Sequence, residues 1–173
     1  MLSSKNITLR LVEESDAEFI VSLRVDDKYN KYLSTVSADI DNQKLWIKNY
    51  KTKEINREEF YFIIERNDGT RCGTVRLYDF INDSFCWGSW ILNEDKGRYS
   101  ALESALLVYE FGFDHLGFKK SHFEVVKGNL KVIDFHLKFG AIEVAQDDIN
   151  HYYEIDKQSI EKVKNRFSRI INK

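Results

Sequence analysis

Phe85-Cys86-Trp87-Gly88-Ser89-Trp90-Ile91-Leu92, then Lys96-Gly97-Arg98-Tyr99-Ser100, then the apolar run Ala101 to about Phe113, is the stretch that decides the fold. The first segment is β-prone and almost wholly apolar, and the second is a short polar turn. The third has Leu102, Ala105, Leu106, Tyr109 and Phe113 at helical spacing, with Leu107, Val108 and Phe111 around the rest, so it predicts a helix buried on most sides. A helix that starts there leaves its first N–H groups without internal partners and turns a partial positive charge on whatever precedes it, which suits a phosphate. Lys96 and Arg98 add two cations at that mouth. The arrangement fits a cofactor seat; a glycine-led turn with a basic residue is also an ordinary helix start, and the rest of the chain has to decide.

Downstream, His122 to Val126 predicts a short strand, and Gly128-Asn129 breaks it before a helix from about Leu130 to Phe139 that Gly140 stops. Ile142 to Ala145 and Tyr152 to Ile155 have the pattern of closing strands, and Ser159 to Ile171 that of a charged amphipathic tail. Upstream, Phe60 to Glu65 and Cys72 to Tyr78 are strands joined through the hairpin turn Asn67-Asp68-Gly69, and Asn82-Asp83 leads into the Phe85 strand, giving a three-stranded meander. At the start of the chain Ile7 to Val12 alternates like a strand, and Ser15 with Glu18 forms a capping box for a helix through about Arg24. A second helix over about Asp41 to Tyr50 is expected to turn Leu45, Ile47 and Tyr50 inward.

The 173 residues fit one domain over 1–173, and 43% hydrophobic with 14% aromatic residues predicts a packed core. A net charge of −2 with scattered lysines and arginines argues against nucleic acid as a partner. Cys72 and Cys86 sit in apolar runs and the four histidines form no ligand pattern, so reduced core thiols and no metal are expected. The opening Met1-Leu2-Ser3-Ser4-Lys5 has no apolar signal core and no run approaches the ~18 apolar residues of a span. The expected compartment is a reducing cytoplasm, with no membrane span.

Strand, two helices, meander, central helix, strand, helix and two strands is an order that resembles the Gcn5-related N-acetyltransferases, in the branch that holds ribosomal-protein and amino-sugar acetyltransferases. Leu9-Arg10-Leu11-Val12 followed by Ser15-Asp16-Ala17-Glu18 resembles that branch's opening. Gly88-Ser89-Trp90-Ile91-Leu92 resembles the strand that hydrogen-bonds the pantetheine arm of acetyl-CoA. Glu124-Val125, Asn129 and Phe135-His136-Leu137-Lys138-Phe139-Gly140 resemble the family's strand-to-helix segment. The resemblance implies an α/β (α+β) fold with a mixed, mostly antiparallel sheet of six to seven strands and about four helices. It also implies acetyl-CoA as cosubstrate, held by Ile91, Leu92, Lys96, Gly97, Arg98, Tyr99, Ser100 and Asn129. The chain departs from the family's phosphate loop at Glu94 and Tyr99, where a cation and a second glycine are usual, so Lys96 and Arg98 are expected to share the neutralisation. His136 stands where the family commonly has a tyrosine.

Acetyl transfer to an amine needs a neutral amine and a proton for the departing thiolate. Glu124 fits the first need as a general base; the alternative is a strand carboxylate paired with His122 or a lysine. His136 fits the second as the acid, with activity that depends on pH near neutrality; the alternative is a packed core histidine. Asn129 either caps its helix or offers its amide to the pantetheine, or does both. Tyr29, Tyr78 and Trp87 are expected to line the acceptor pocket, with Tyr32, Trp46, Tyr152 and Tyr153 in the same regions. Aromatic faces suit sugar rings and nucleotide bases, and the balance of charge offers no strongly acidic groove for a polyamine or cationic peptide. The Trp87-Gly88-Ser89-Trp90 strand and the Lys127-Gly128-Asn129 turn resemble acetyltransferases of surface-polysaccharide biosynthesis, a resemblance that implies a nucleotide-linked amino sugar as acceptor. Two alternatives stay open: a protein N-terminal acetyltransferase, and a non-catalytic fold-mate that binds CoA. The chain is expected to act as a monomer or homodimer.

Overall fold

Alternate residues along one strand show how the sheet is buried. In the computed structural model, which describes residues 1–171, β3 (Phe60–Arg66) turns Phe60, Phe62 and Ile64 to one core and Tyr61 and Ile63 to another. A strand covered on both faces has no polar side to show, which is why its sequence is a continuous apolar run. On one face α1 (Ala17–Arg24) and α2 (Ile40–Ile55) bury Ala17, Ile20, Ile47 and Tyr50 against β3. On the other lie α3 (Ser100–Glu110) and the π-helical turn Phe111–His115 that continues it.

The sheet has eight strands in the order β1-β2-β3-β4-β5-β6-β8-β7. Besides β3 these are β1 (Leu2–Ser3), β2 (Ile7–Leu11), β4 (Arg71–Ile81), β5 (Ser84–Leu92), β6 (Lys120–Val126), β7 (Ile142–Gln146) and β8 (Asn150–Asp156). Neighbours are antiparallel except β5 and β6. The count exceeds the expected six to seven because Leu2–Ser3 pairs with Thr8 and Leu9, and two residues carry no alternation to detect. Helices number six among the described residues where about four were expected. After α4 (Leu130–Lys138), the C-terminal tail divides into α5 (Lys157–Arg166) and α6 (Ser168–Ile171). The Asn67-Asp68-Gly69 turn forms as expected, with Gly69 at φ +83°.

Two details of the expectation are corrected. The capping box is Glu13 with Asp16, not Ser15 with Glu18, and it closes a 3-10 turn over Glu14–Asp16 that precedes α1. Asp16 is claimed by charge: it is 1% exposed and accepts from both Arg10 Nη1 (2.7 Å) and Nη2 (2.8 Å), while Arg10 Nε donates to Glu65. Leu45 points outward at 57% exposure; Ile47 and Tyr50 alone make the inward contact expected of that turn, and Trp46 stacks on Tyr50 at 5.6 Å.

One feature of the topology places the site. β5 and β6 run parallel and pair only at Ser84 with Lys120 and Phe85 with Ser121. Beyond those two rungs β6 is held by β8 along its whole length and β5 by β4, so the two strands part and leave an opening in the middle of the sheet. Their separation removes ladder partners from β5 and exposes its backbone to whatever enters.

Candidate active site

The parted strands enclose a wedge of about 250 Å³ whose walls include Tyr32, Tyr78, Trp87, Glu124, Asn129 and His136. Five of these six were expected site residues, drawn from β4, β5, β6, the N-cap of α4 and its last turn. β5 bends at the wedge: its register with β4 shifts between Thr74 and Arg76, and Ser89 takes the left-handed φ of +47°. Thr74 Oγ1 donates to the Ser89 carbonyl at 3.2 Å. A non-glycine residue in this conformation is strained, and bulged strands commonly turn backbone groups toward a ligand. Gly88 beside it admits the Tyr78 hydroxyl so closely that a Cβ would come within 2.8 Å of it.

Glu124 is exposed on β6 and makes no ion pair or hydrogen bond among the described residues. The neighbours that might have neutralised it are committed elsewhere. His122 meets Ser84 Oγ at 2.6 Å and Asp79 at 3.0 Å, and Lys120 pairs with Glu154 at 2.9 Å. The carboxylate is thus free to accept a proton inside the wedge.

His136 presents the opposite environment. It is 5% exposed, with its ring 4.2 Å from Phe123 and 5.3 Å from Trp87, and its Nδ1 is buried without a partner. Burial pulls it down to about 4 from the usual 6.5, so it is neutral near pH 7. The expectation of a histidine titrating near neutrality is corrected on this ground. The ring is packed in the core and also lines the wedge. Burial also raises the Tyr78 hydroxyl and pushes the Cys86 thiol up to about 12, which keeps the thiol inert.

Asn129 occupies the N-cap of α4, yet its side chain caps nothing; only its carbonyl accepts, from Val132 and Ile133 N–H at 3.1 Å. The amide is left to the wedge it lines. The Tyr32 hydroxyl donates to the Gly128 carbonyl at 2.9 Å, tying the α1–α2 connection across the opening.

The phosphate mouth lies further along β5. Ile91 and Leu92 pair with Thr74 and Gly73, and past them Gly97, Arg98, Tyr99 and Ser100 line a separate cavity with Asn6 and Arg66. Ser100 Oγ there is buried without a hydrogen-bond partner, at the first turn of α3, whose leading N–H groups have no helical acceptor. Arg66 was not anticipated. It stands at the end of β3, far from the loop in sequence, and only the β3–β4 hairpin brings it there, anchored by Asp68 at 2.7 Å. Arg98 lies over the Tyr99 ring at 5.3 Å, and the Lys96 amine is 3.5 Å from the Asn93 carbonyl. Tyr29 does not line the wedge: its hydroxyl is 3.5 Å from Glu94, in the loop that follows β5. Among the described residues no His, Cys, Asp and Glu cluster could hold a metal.

A helix start with an orphaned hydroxyl and two arginines, Arg66 and Arg98, lining its cavity fits a pyrophosphate, and a bent strand with unpaired backbone fits an amide-bearing arm. Millimolar acetyl-CoA is therefore expected to raise Tm, by about 2.7 kcal/mol of stabilisation at a hundredfold excess over Kd. Gly97→Glu places bulk and negative charge at the mouth and is expected to abolish that shift in a melting experiment; an unchanged shift would put the phosphates elsewhere.

A helix start that fits a phosphate, a strand parted from its neighbour and a free carboxylate in the gap are an arrangement suited to a CoA-dependent acyltransferase. The chain belongs to the acetyltransferase (GNAT) domain family, whose model matches residues 6–142. It is 56% identical to FdhC, described as a nucleotide-linked sugar GNAT and solved in its apo form, with a TM-score of 0.92 over 99% of this chain and 98% of that one. A spermidine N-acetyltransferase from Vibrio cholerae, solved with CoA and spermine, is 18% identical with a TM-score of 0.76 over 90% of this chain and 98% of that one, and shares the fold. The SPbeta prophage-derived uncharacterized N-acetyltransferase YokL of Bacillus subtilis (strain 168) is 24% identical, over 83% of this chain and 80% of its own. The protein is an N-acetyltransferase. No helix of the described residues is long and apolar enough to cross a membrane.

Proposed function

We propose that this enzyme acetylates the primary amine of a nucleotide-linked amino sugar, with Glu124 as the base and His136 as a hydrogen-bond donor to the leaving group. The observation that carries this reading is the wedge: one free carboxylate among Tyr32, Tyr78 and Trp87. Aromatic faces suit a sugar ring, and a lone carboxylate gives a polyamine only one charge to pair with. The likeness to FdhC supports the same acceptor class.

Acetyl-CoA, when bound, supplies an activated acetyl thioester, with its pyrophosphate toward Gly97–Ser100 and its arm along β5 toward Asn129. Glu124 takes the proton from the acceptor ammonium, directly or through one water. Tyr78 and Trp87 hold the sugar so that its amine stays near that carboxylate. His136 is neutral and so is no strong acid. Its N–H stabilises charge growing on sulfur, and the proton that completes the thiol comes from the amine by way of Glu124 and solvent.

The test is thiol release from acetyl-CoA with separate acceptors. Amino sugars linked to uridine or thymidine diphosphate are expected to exceed N-terminal peptides and spermidine in kcat/KM by at least about 10²-fold, the scale on which a site built for one polar ligand rejects others. Preference for a peptide would assign the protein N-terminal activity instead, and no release with any acceptor would leave a CoA-binding fold-mate.

A further inference from the structure

Arg24, in the last turn of α1, is 8% exposed, yet no carboxylate pairs with it among the described residues. Its Nη2 donates to the Ser34 carbonyl at 2.8 Å and to Ser34 Oγ at 2.9 Å, both neutral, and its Nε is fully buried with no partner. A buried guanidinium without a counter-charge is costly, and a fold that keeps one gains if an anion arrives to pair with it. The group lines a cavity of about 120 Å³ with Ser34, Gln43, Trp46, Tyr61 and Arg76. Arg76 is balanced by buried Glu59 at 2.6 Å, and Lys53 also reaches Glu59 at 3.2 Å, so the cluster keeps a net positive charge.

The cavity adjoins the wedge through Arg76 and Ser34, whose neighbours Tyr78 and Leu33 line it. The Arg76 guanidinium lies 4.7 Å over the Tyr78 ring and 5.7 Å over Trp46, and Leu33, next to Ser34, lines the wedge itself. Arg76 thus stands between the Tyr78 wall of the wedge and Arg24, on the side toward which an acceptor with its amine at Glu124 would extend past Tyr78. A nucleotide-linked sugar carries its phosphates beyond the sugar, which is the order of groups met along this path.

We propose that the Arg24 cavity is the phosphate subsite for the acceptor, with Arg24 and Arg76 holding its diphosphate while the amino sugar occupies the wedge. The proposal rests on the nucleotide-sugar reading above. It makes Arg24 a residue that tells a phosphorylated acceptor from a free amino sugar, through charge-assisted hydrogen bonds to a planar donor fork.

The experiment titrates uridine and thymidine diphosphate into the parent, Arg24→Gln and Gln43→Glu proteins by calorimetry, with acetyl-CoA titrated alongside as a check on the fold. Gln43→Glu covers the case in which Arg24→Gln does not fold, because it supplies the missing carboxylate within the cavity and is expected to raise Tm while repelling phosphate. Both variants are expected to weaken nucleoside diphosphate binding by at least about 10-fold, with acetyl-CoA affinity unchanged. KM for the nucleotide-linked amino sugar should rise by a similar factor, with kcat within about twofold. Diphosphate affinities within about twofold of the parent in both variants would overturn the subsite and leave the nucleotide-sugar reading standing. A parent that binds neither diphosphate and acetylates a peptide or polyamine would overturn that reading and the subsite with it.

Discussion

Replacing Glu124 with Gln is expected to lower kcat/KM for the amine acceptor by about 10²-fold or more at neutral pH, with acetyl-CoA affinity unchanged. The size follows from the state of the substrate. A primary amine is mostly an ammonium at pH 7 and has no lone pair to attack with until a base removes the proton. Glu124 is exposed to the wedge and free of the ion pairs that occupy His122 and Lys120, so the substitution costs the fold little. The deficit should shrink as pH rises, because solvent then deprotonates the amine unaided. Steady-state rates across pH check both parts. A Glu124→Gln enzyme with the parent's rate and pH profile would make the carboxylate a bystander.

His136→Phe carries two expectations that a single protein tests. Phenylalanine keeps the contacts to Phe123, Trp87 and Phe135 and removes the donor, so kcat should fall by about 10²-fold, the usual loss for one such hydrogen bond to developing charge. His136→Tyr should restore much of the rate by returning a hydroxyl donor. In the parent, no break from His136 should appear in the pH–rate profile near neutrality. The stability effect has a definite sign. The folded-state value is about 4 and the ordinary one 6.5, so below pH 6.5 the unfolded chain binds a proton that the native state refuses. Stability is present above pH 6.5 and is lost as pH falls toward 4, by about 3 kcal/mol from this group. Melting curves of His136→Phe should decline less than the parent's over that interval. Equal declines would mean that the ring is not held neutral.

What the sequence made legible was local. The strands of the meander, the turn at Gly69, the buried helix after Ser100 and the break at Gly128-Asn129 each follow from apolar period or from a turn residue, and they form where periodicity placed them. Glu124, Tyr78, Trp87, Asn129 and His136 converge because the topology of β4, β5, β6 and α4 brings them together. Residues whose role depends on a distant partner were not legible. Arg66 reaches the phosphate mouth and Arg24 sits buried without a counter-charge, and neither fact leaves a trace in its own neighbourhood of the chain. Tyr29 and Tyr32 lie on one connecting segment, and spacing alone gave no reason to send the first to Glu94 and the second to the wedge. Asp16 stands at the N-cap of α1 yet its side chain caps nothing there, because Arg10, Arg71 and the Glu13 N–H take its carboxylate, a tertiary preference that overrides the local motif.

The central claim is that the parted strands β5 and β6 form an acetyl-transfer site for an amino sugar carried on a nucleotide. The most direct measurement is a competition in one vessel: enzyme and acetyl-CoA with equal concentrations of a nucleotide-linked amino sugar, the same amino sugar without its nucleotide, an N-terminal peptide and spermidine, with the acetylated products separated and weighed by mass spectrometry. The nucleotide-linked sugar is expected to carry nearly all of the acetyl groups and the free amino sugar few; acetyl groups found chiefly on the peptide or on spermidine would contradict a nucleotide-sugar site.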